Sequence, residues 1–177
     1  GYRKVVINTN LRKSFPEKPE SEIRRLTHDY YHYMCDLTLE TFKMMWMPEQ
    51  EVKERIQMLN PEVAQRLYEK KQSIILALGH YGNWEWYAGA LQLYMPHQLV
   101  IIYHPLTNAY FDRLMQRMRT RFNMEITTMQ QTVRTMLANH DRITATAFVG
   151  DQAAPVNAHW MTFLNQDSSV YTGIEKM

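Results

Sequence analysis

The stretch that decides the fold is SIILALGHYGNWEW, residues 73–86. It opens with a continuous apolar run of strand length, which is typical of a strand buried in a parallel sheet. The run leads to His80, and Gly82 and Asn83 then predict a turn and a helix N-cap. Glu85 would follow in the first helical turn, where the helix dipole favours a carboxylate. The stretch therefore predicts a strand, a turn and a helix that place a histidine and a carboxylate at one strand end.

The rest of the second half repeats this alternation of strand and helix. QLVIIYH and RITATAFVG are further apolar runs of strand length, and MEITT is a shorter fourth one. Helical segments are predicted between them at 83–94, 107–122 and 130–139. Short apolar strands that alternate with helices predict parallel strands joined by helical crossovers. HWMTFLNQDSSVYTGIEKM, at the end of the chain, predicts a strand, a loop and the beginning of another helix.

The first seventy residues carry helical patterns instead. After Pro19, apolar residues at helical spacing predict one long amphipathic helix that ends at Pro48. PEQEVKERIQML and NPEVAQRLYEKK predict two short helices, the second with Asn60 as its cap and Pro61 at its first position. The predicted fold class is therefore α/β, with a mostly parallel central sheet flanked by helices and a helical N-terminal segment.

Length and composition limit the classes of protein that fit. The 177 residues suit one domain and contain no recognisable linker, so we predict a single domain over 1–177. The net charge of +2 does not favour a nucleic-acid partner, but it permits weak attraction to an anionic membrane face. The single cysteine, Cys35, excludes an internal disulfide. Within the chain, no apolar run approaches the ~20 residues that span a bilayer, and no signal peptide is recognisable.

His80 and Glu85 would form a base and its orienting group. A carboxylate beside one ring nitrogen fixes the imidazole tautomer, so that the other nitrogen can take a proton from a hydroxyl. No serine or cysteine lies near the pair in the sequence, which means that the hydroxyl would come from the substrate. The spacing is weak evidence by itself, because seven histidines and 18 acidic residues make one such coincidence close to an even chance. The strand end, the glycine turn and the cap strengthen it.

GHYGNWE resembles the signature block of the bacterial lipid A biosynthesis acyltransferase family, which carries a histidine with an acidic residue five positions later. Other stretches are similar to further blocks of that family: GYRKVVINTNLRKSFPE, IIYHPLTNAYFDRLMQRMR, FVGDQ and TFLNQDSSVYTGIEKM. One position departs from the family pattern: this chain has His104 where the family often has Arg or Lys. The resemblance covers essentially the whole chain and implies a glycerolipid-acyltransferase-like fold. It also implies that a membrane anchor before Gly1 and a C-terminal portion after Met177 are missing here.

Arg119 differs from the other arginines of the predicted helix 107–122. On a helical wheel, Arg113, Arg117 and Arg121 form one basic face, which we expect to be solvated. Arg119 lies beside the apolar face, so it should be partly buried and need an anionic partner, unless its stem carries the charge out to solvent. The family resemblance implies that Arg119 is catalytically required.

Asp151 follows the strand predicted for RITATAFVG, at a carboxyl end, where ligands bind in parallel sheets. From the residues alone, a turn or cap role fits Asp151 equally well. The resemblance places it in the active site together with Gln152. The predicted catalytic residues are His80, Glu85, Arg119 and Asp151. The predicted substrate-binding residues are Gly82, Asn83, Asn108 and Gln152.

The resemblance implies an acyltransferase that moves a fatty acyl chain from a thioester donor to a hydroxyl of a lipid A precursor or related membrane glycolipid. Acyl carrier protein or coenzyme A would carry the acyl group as a co-substrate, and no metal or bound cofactor is expected. The expected location is the cytoplasmic face of the bacterial inner membrane, at the membrane surface.

Several alternatives stay open. The acceptor could be an aminolipid, such as an ornithine or glycine lipid, or a phosphoinositide mannoside. A metal-assisted hydrolase built on His80, Glu85 and Asp151 would also use the acidic residues, and a catalytically inactive binding module is a third reading. His28 and His32 in HDYYH lie four apart and could form half of a metal site, but no second pair of ligands is recognisable.

Overall fold

The computed structural model describes residues 2–152, 154 and 158–176. The chain divides into two compact units, one formed by residues up to 40 together with those from 151 onward, and the other by residues 41–150. The single domain predicted over 1–177 stays a prediction. Three of the predicted catalytic residues, His80, Glu85 and Arg119, belong to the second unit.

The second unit is built on a parallel sheet of four strands. The strands are β1 (Ile74–Leu78), β2 (Gln98–Tyr103), β3 (Glu125–Thr128) and β4 (Thr144–Val149), in the order β1-β4-β2-β3. Leu78 of β1 pairs with Val149 of β4, so these two strands end side by side. All four strands predicted for this part of the chain are present, and the α/β fold class is confirmed.

The described part of the chain forms seven α-helices. They are α1 (Lys4–Ser14), α2 (Glu20–Lys43), α3 (Glu49–Arg55), α4 (Pro61–Glu69), α5 (Trp84–Tyr94), α6 (Ala109–Arg119) and α7 (Thr132–Ala138). The longest of them, α2, has 24 residues. Over the described ranges, no helix is both long and apolar enough to cross a membrane.

Some helix limits differ from the sequence prediction. The helix predicted over 107–122 ends at Arg119, because the chain turns there and takes a left-handed backbone at Asn123 (φ 61°) before it enters β3. The segment predicted at 130–139 begins with a 3₁₀ turn ahead of α7. Asn60 holds the N-cap position of α4 as predicted, but its side chain makes no capping hydrogen bond.

α2 also ends before the predicted position at Pro48. After Lys43 the chain makes tight turns instead of continuing the helix. The guanidinium of Arg121 donates hydrogen bonds to the carbonyl oxygens of Met44 and Met47, which holds these turns in place. Arg121 is exposed, as are Arg113 and Arg117, so the predicted solvation is confirmed. The prediction that the three share one helix face is wrong, because Arg121 lies beyond the end of α6 and binds backbone carbonyls.

The core of the second unit lies between α5 and the sheet. Leu91 of α5 packs in a buried cluster formed with residues of α4, β2, β4 and their connections: Ala64, Met95, Leu99, Ile101, Met124, Ala145 and Ala147. On β3, Ile126 packs against this cluster, whereas the next residue, Thr127, points to the other face. The Thr127 hydroxyl lies 2.8 Å from the Thr135 hydroxyl of α7, so α7 covers that opposite face.

A second apolar cluster holds α5 against α6. It consists of Met44, Met47, Val52, Trp86, Ala90, Met115, Met118 and Phe122. Gly89 of α5 faces the same cluster, where an added Cβ would clash with the terminal methyl group of Met44. A side chain at position 89 would therefore require the flexible end of Met44 to move and the Phe122 ring to shift by a few tenths of an ångström. This packing sets the distance between the first turn of α5 and the last turn of α6.

The first unit contains a β-hairpin of which only one strand is predicted. β5 (His159–Phe163) matches the predicted strand, but the predicted loop after it is a second strand, β6 (Gln166–Val170), antiparallel to β5. Leu164 and Asn165 join them with φ of 48° and 59°, the left-handed pair that a two-residue type I′ turn requires. Leu-Asn is not a usual sequence for that turn, so the loop prediction is wrong. A 3₁₀ turn, Ile174–Lys176, stands where a helix is predicted to begin.

Candidate active site

The turn between β1 and α5 has the conformation predicted from Gly82 and Asn83. Gly82 has a φ of 61°, in the left-handed region that glycine adopts without steric cost. The Asn83 side-chain oxygen accepts a hydrogen bond from the Trp86 N–H at 3.1 Å, which caps α5. Glu85 lies in the first turn of the helix. The predicted order of strand, turn, cap and carboxylate is confirmed.

His80 lies just past the carboxyl end of β1. Its ring meets the Trp84 ring edge to face, with the ring centroids 5.0 Å apart and the planes at 80°. His80 is half-buried, whereas the next residue, Tyr81, is 95% exposed. The imidazole is therefore supported on one side by an aromatic ring, at a position that solvent can reach.

Glu85 is buried and paired with Arg119. The side chains of Glu85 and Arg119 are 8% and 20% exposed. Arg119 Nε donates to Glu85 Oε2 at 3.0 Å, and Arg119 Nη2 donates to Oε1 at 2.5 Å, which makes a bidentate ion pair. The expectation that Arg119 is partly buried with an anionic partner is confirmed. The partner is the same carboxylate that the sequence places near His80.

The surroundings of Arg119 favour its charged form. Burial by itself lowers the pKa of Arg119, but the hydrogen bonds and the negative charge of Glu85 outweigh that effect. Asp112 and Tyr103 act in the same direction as Glu85, and the pKa of Arg119 lies above its ordinary value. Arg119 therefore carries a full positive charge into a largely buried position.

Three side chains near Arg119 are not among the predicted site residues: Asp112, Gln116 and Tyr103. Asp112 accepts hydrogen bonds from the Leu106 N–H at 2.9 Å and from the Gln116 side chain at 2.6 Å. Gln116 also donates to the Tyr103 hydroxyl at 3.1 Å. These bonds tie the loop before α6 to the helix and to the end of β2. The spacing of Asp112 and Gln116, four apart on one helix, is a recognisable signal, but no sequence pattern links either residue with Tyr103.

Asn108 and His104 lie in the loop before α6. The Asn108 side-chain oxygen accepts hydrogen bonds from the Tyr110 N–H at 3.0 Å and the Phe111 N–H at 3.1 Å, so Asn108 caps α6. His104 is exposed, and its Nδ1 lies 2.9 Å from the carbonyl oxygen of Pro105. Substrate binding by Asn108 stays a prediction, as it does for Gly82 and Asn83.

Asp151 and Gln152 follow β4 after Gly150, and both are exposed. The Gly150 N–H before them donates to the Leu78 carbonyl oxygen at 3.2 Å, which extends the pairing of β4 with β1. Asp151 and Gln152 are counted with the first unit. Their catalytic and substrate-binding roles stay predictions.

The side chains brought together in the second unit are suited to acid–base chemistry on an anionic or polar substrate. An accessible imidazole can take a proton, and a fixed arginine can stabilise negative charge that develops nearby. In the part of the chain that the structure describes, no group of three or more histidine, cysteine, aspartate or glutamate side chains is arranged to hold a metal ion.

Comparison with known families gives a match over nearly the whole chain. Residues 2–177 match the family described as bacterial lipid A biosynthesis acyltransferase, and this span includes every predicted site residue. A comparison with curated proteins gave no match. Because the family match extends over nearly the whole chain and the α/β fold agrees with it, the protein belongs to the bacterial lipid A biosynthesis acyltransferase family and is an acyltransferase.

Proposed function

We propose that the protein transfers a fatty acyl chain from an acyl thioester to a hydroxyl group of a lipid A precursor, with His80 as the general base. Family membership supports acyl transfer to a lipid. The observation that carries the mechanism is the buried ion pair of Glu85 and Arg119. Glu85 lies five residues after His80, whose imidazole solvent can reach. The donor is acyl carrier protein or coenzyme A, consumed as a co-substrate, and no metal or bound cofactor takes part.

The chemistry proceeds through one tetrahedral intermediate. His80 takes the proton of the acceptor hydroxyl while the oxygen attacks the thioester carbonyl carbon. The intermediate then expels the thiolate of the donor, which recovers the proton from the imidazolium. An ester bond forms, a thioester bond breaks, and His80 returns to its neutral state. No acyl-enzyme is formed, because the attacking hydroxyl belongs to the substrate.

Glu85 orients His80 and stabilises the imidazolium. An ionised carboxylate has about four lone-pair positions, and Arg119 takes two of them, so Glu85 can accept a further hydrogen bond. The bidentate pair also stops the Glu85 side chain from rotating, which fixes the side on which the imidazole must meet it. Arg119 in this way acts on the base through Glu85.

Arg119 also offers positive charge to the substrate. A guanidinium has five N–H donors, and two of them point to Glu85, so others can reach a phosphate of the acceptor or the developing oxyanion. In the same proposal, Asp151 positions the acceptor or Arg119, and Gln152, Gly82, Asn83 and Asn108 contact the substrate. The reaction takes place at the cytoplasmic face of the bacterial inner membrane, where the glycolipid acceptor is presented.

The test is an acyl-transfer assay with the full-length protein in membranes, labelled acyl-carrier-protein or coenzyme A donors, and a lipid A precursor. Because general base catalysis contributes about 10²–10⁴-fold, His80→Ala should lower the transfer rate by at least about 100-fold. His140→Ala is the matched control, since His140 is exposed and follows α7.

Other outcomes would change the proposal. An unchanged rate in His80→Ala contradicts the mechanism. Transfer to an ornithine or glycine lipid, or to a phosphoinositide mannoside, in preference to the lipid A precursor would replace the acceptor. Loss of activity on chelation would favour a metal-assisted hydrolase.

A further inference from the structure

The two histidines of HDYYH meet on the surface of α2. His28 and His32 are both exposed, one helical turn apart, and their Nε2 atoms lie 3.1 Å from each other. The ring centroids are 4.3 Å apart, with the planes tilted by 46°. Two ring nitrogens at this distance either share a proton or bind one common ion.

The distance between the two nitrogens is compatible with one ion bound by both rings. With metal–nitrogen bonds of about 2.1 Å, nitrogens 3.1 Å apart subtend an angle of about 95° at the metal. Square-planar and octahedral ions, of which Cu²⁺ and Ni²⁺ are the usual examples with imidazole ligands, need about 90°. A tetrahedral ion such as Zn²⁺ would need the nitrogens about 3.4 Å apart.

We propose that His28 and His32 chelate one Cu²⁺ or Ni²⁺ ion through their Nε2 atoms, with water in the remaining positions. This is a two-residue site on α2, independent of the acyl-transfer residues. When the ion binds, the proton between the two Nε2 atoms moves through solvent to Nδ1 of its own ring, so that both neutral rings offer an Nε2 lone pair to the ion.

Asp29 supports the orientation of one ligand. Its Oδ1 lies 3.7 Å from Nδ1 of His28, on the side of the ring away from the proposed ion. A carboxylate near the second nitrogen of a metal-binding histidine favours the tautomer that leaves Nε2 as the ligand. Asp29 is itself held by Arg25, which donates to Oδ2 at 3.2 Å.

Cys35 is the obvious competitor for the ion. It is exposed and lies three residues after His32, on the next turn of α2. A thiolate would favour softer ions and would compete with the histidine pair. The experiment must therefore separate a His28–His32 chelate from a site that uses His32 and Cys35.

The proposal is tested by calorimetric titration of the untagged full chain with Ni²⁺ and Cu²⁺. The expected result is one ion per chain, bound at least about tenfold more tightly than by His32→Ala, since a chelate loses most of its affinity with one ligand. Cys35→Ser should bind as the unchanged protein does. Zn²⁺ should bind more weakly than Cu²⁺, because nitrogen ligands bind Cu²⁺ the most tightly of the divalent first-row ions.

A double exchange provides the matched control. His32→Tyr/Tyr33→His keeps the composition of the chain and moves the second histidine to five residues from the first, about 140° away around the helix. This variant should lose the tight site, and its unfolding temperature should stop responding to Ni²⁺, whereas that of the unchanged protein rises with the ion. Equal Ni²⁺ affinity in the two proteins, no binding of about one ion per chain, or tighter binding of Zn²⁺ than of Cu²⁺ would each overturn the proposal. Far-UV circular dichroism confirms that α2 is folded in each variant.

Discussion

Two helices of the second unit begin with the same pattern of an asparagine, any residue and a glutamate. α4 begins at NPE, residues 60–62, and α5 at NWE, residues 83–85. In both cases the sequence predicts an asparagine cap and a carboxylate in the first helical turn. The two beginnings nevertheless differ in hydrogen bonding and in burial.

At α5 both the asparagine and the glutamate of the pattern make side-chain hydrogen bonds. The Asn83 side chain caps the helix, and Glu85 is buried against Arg119. At α4 the Asn60 side chain makes no capping bond, and its amide instead donates weakly to Glu62 at 3.4 Å. Glu62 is exposed to water. The same residues therefore form part of a candidate active site in one place and a solvated helix end in the other.

The difference lies in what the rest of the fold brings to each helix. α6 places Arg119 beside the first turn of α5, so a carboxylate can be buried there without an unpaired charge. The carboxylate of Glu62 is exposed, so solvent water stabilises its charge without a partner from another helix. A cap pattern thus predicts the start of a helix. Whether the carboxylate in its first turn is buried or exposed depends on a charged partner from another element.

Replacing the two glutamates should give the largest difference in the free energy of unfolding. Glu85→Ala leaves Arg119 in a largely buried position without its counter-charge, and we expect a loss of about 3 kcal/mol in the free energy of unfolding. Glu62→Ala should stay within about 0.5 kcal/mol, as exposed positions do. Urea unfolding followed by circular dichroism measures both.

A double-mutant cycle separates the pair from the individual side chains. Arg119→Ala should also be destabilising, but Glu85→Ala combined with Arg119→Ala should cost less than the sum of the two, because no lone charge stays behind. Strict additivity would show that the two side chains do not interact in solution and would contradict the structure.

The two asparagines should differ by a smaller amount. Asn83→Ala removes a capping hydrogen bond and should cost about 1 kcal/mol of stability. Asn60→Ala removes no such bond, so its cost should be a few tenths of a kcal/mol at most. Thermal or urea unfolding distinguishes the two values. Equal losses would mean that α4 is capped by Asn60 after all.

The smallest effect concerns the turn that precedes the cap of α5. Gly82→Ala introduces a Cβ into a left-handed backbone, which costs about 1–2 kcal/mol, and the stiffer unfolded chain returns about 0.4–1 kcal/mol. The net loss should be about 0.5–1 kcal/mol. Gly173→Ala is the matched control, because an added Cβ meets nothing within 4 Å at either glycine and Gly173 lacks the left-handed φ. It should be neutral or slightly stabilising; a loss equal to that of Gly82→Ala would contradict the role of φ.

Most of the sheet could be predicted from the sequence because each strand is a short apolar run. The four parallel strands and the start of α5 follow from residues that are neighbours in the chain. β6 could not be predicted in this way, since its polar residues pair with β5 only through a turn with an unusual sequence at Leu164 and Asn165. The earlier end of α2 also depends on distant residues, since Arg121 binds the turns that follow it from 77 and 74 residues away.

For the candidate site, the sequence predicts which side chains are present better than it predicts which of them form hydrogen bonds and ion pairs with each other. The helical wheel correctly indicates that Arg119 needs an anionic partner, but it carries no information on which carboxylate is in reach. The hydrogen bonds from Asp112 to the loop before α6, and from Gln116 to Tyr103, depend in the same way on where β2 ends relative to α6.

By itself, the sequence determines that a strand is followed by a histidine, a glycine turn, an asparagine cap and a carboxylate. Hydrophobic periodicity, left-handed backbone and helix capping all act within a few residues, so the letters at those positions suffice. Only the tertiary structure decides that Glu85 is buried while Glu62 is not, because Coulombic attraction depends on distance in space and Arg119 lies 34 residues away along the chain. The packing of α5 against α6 closes that distance.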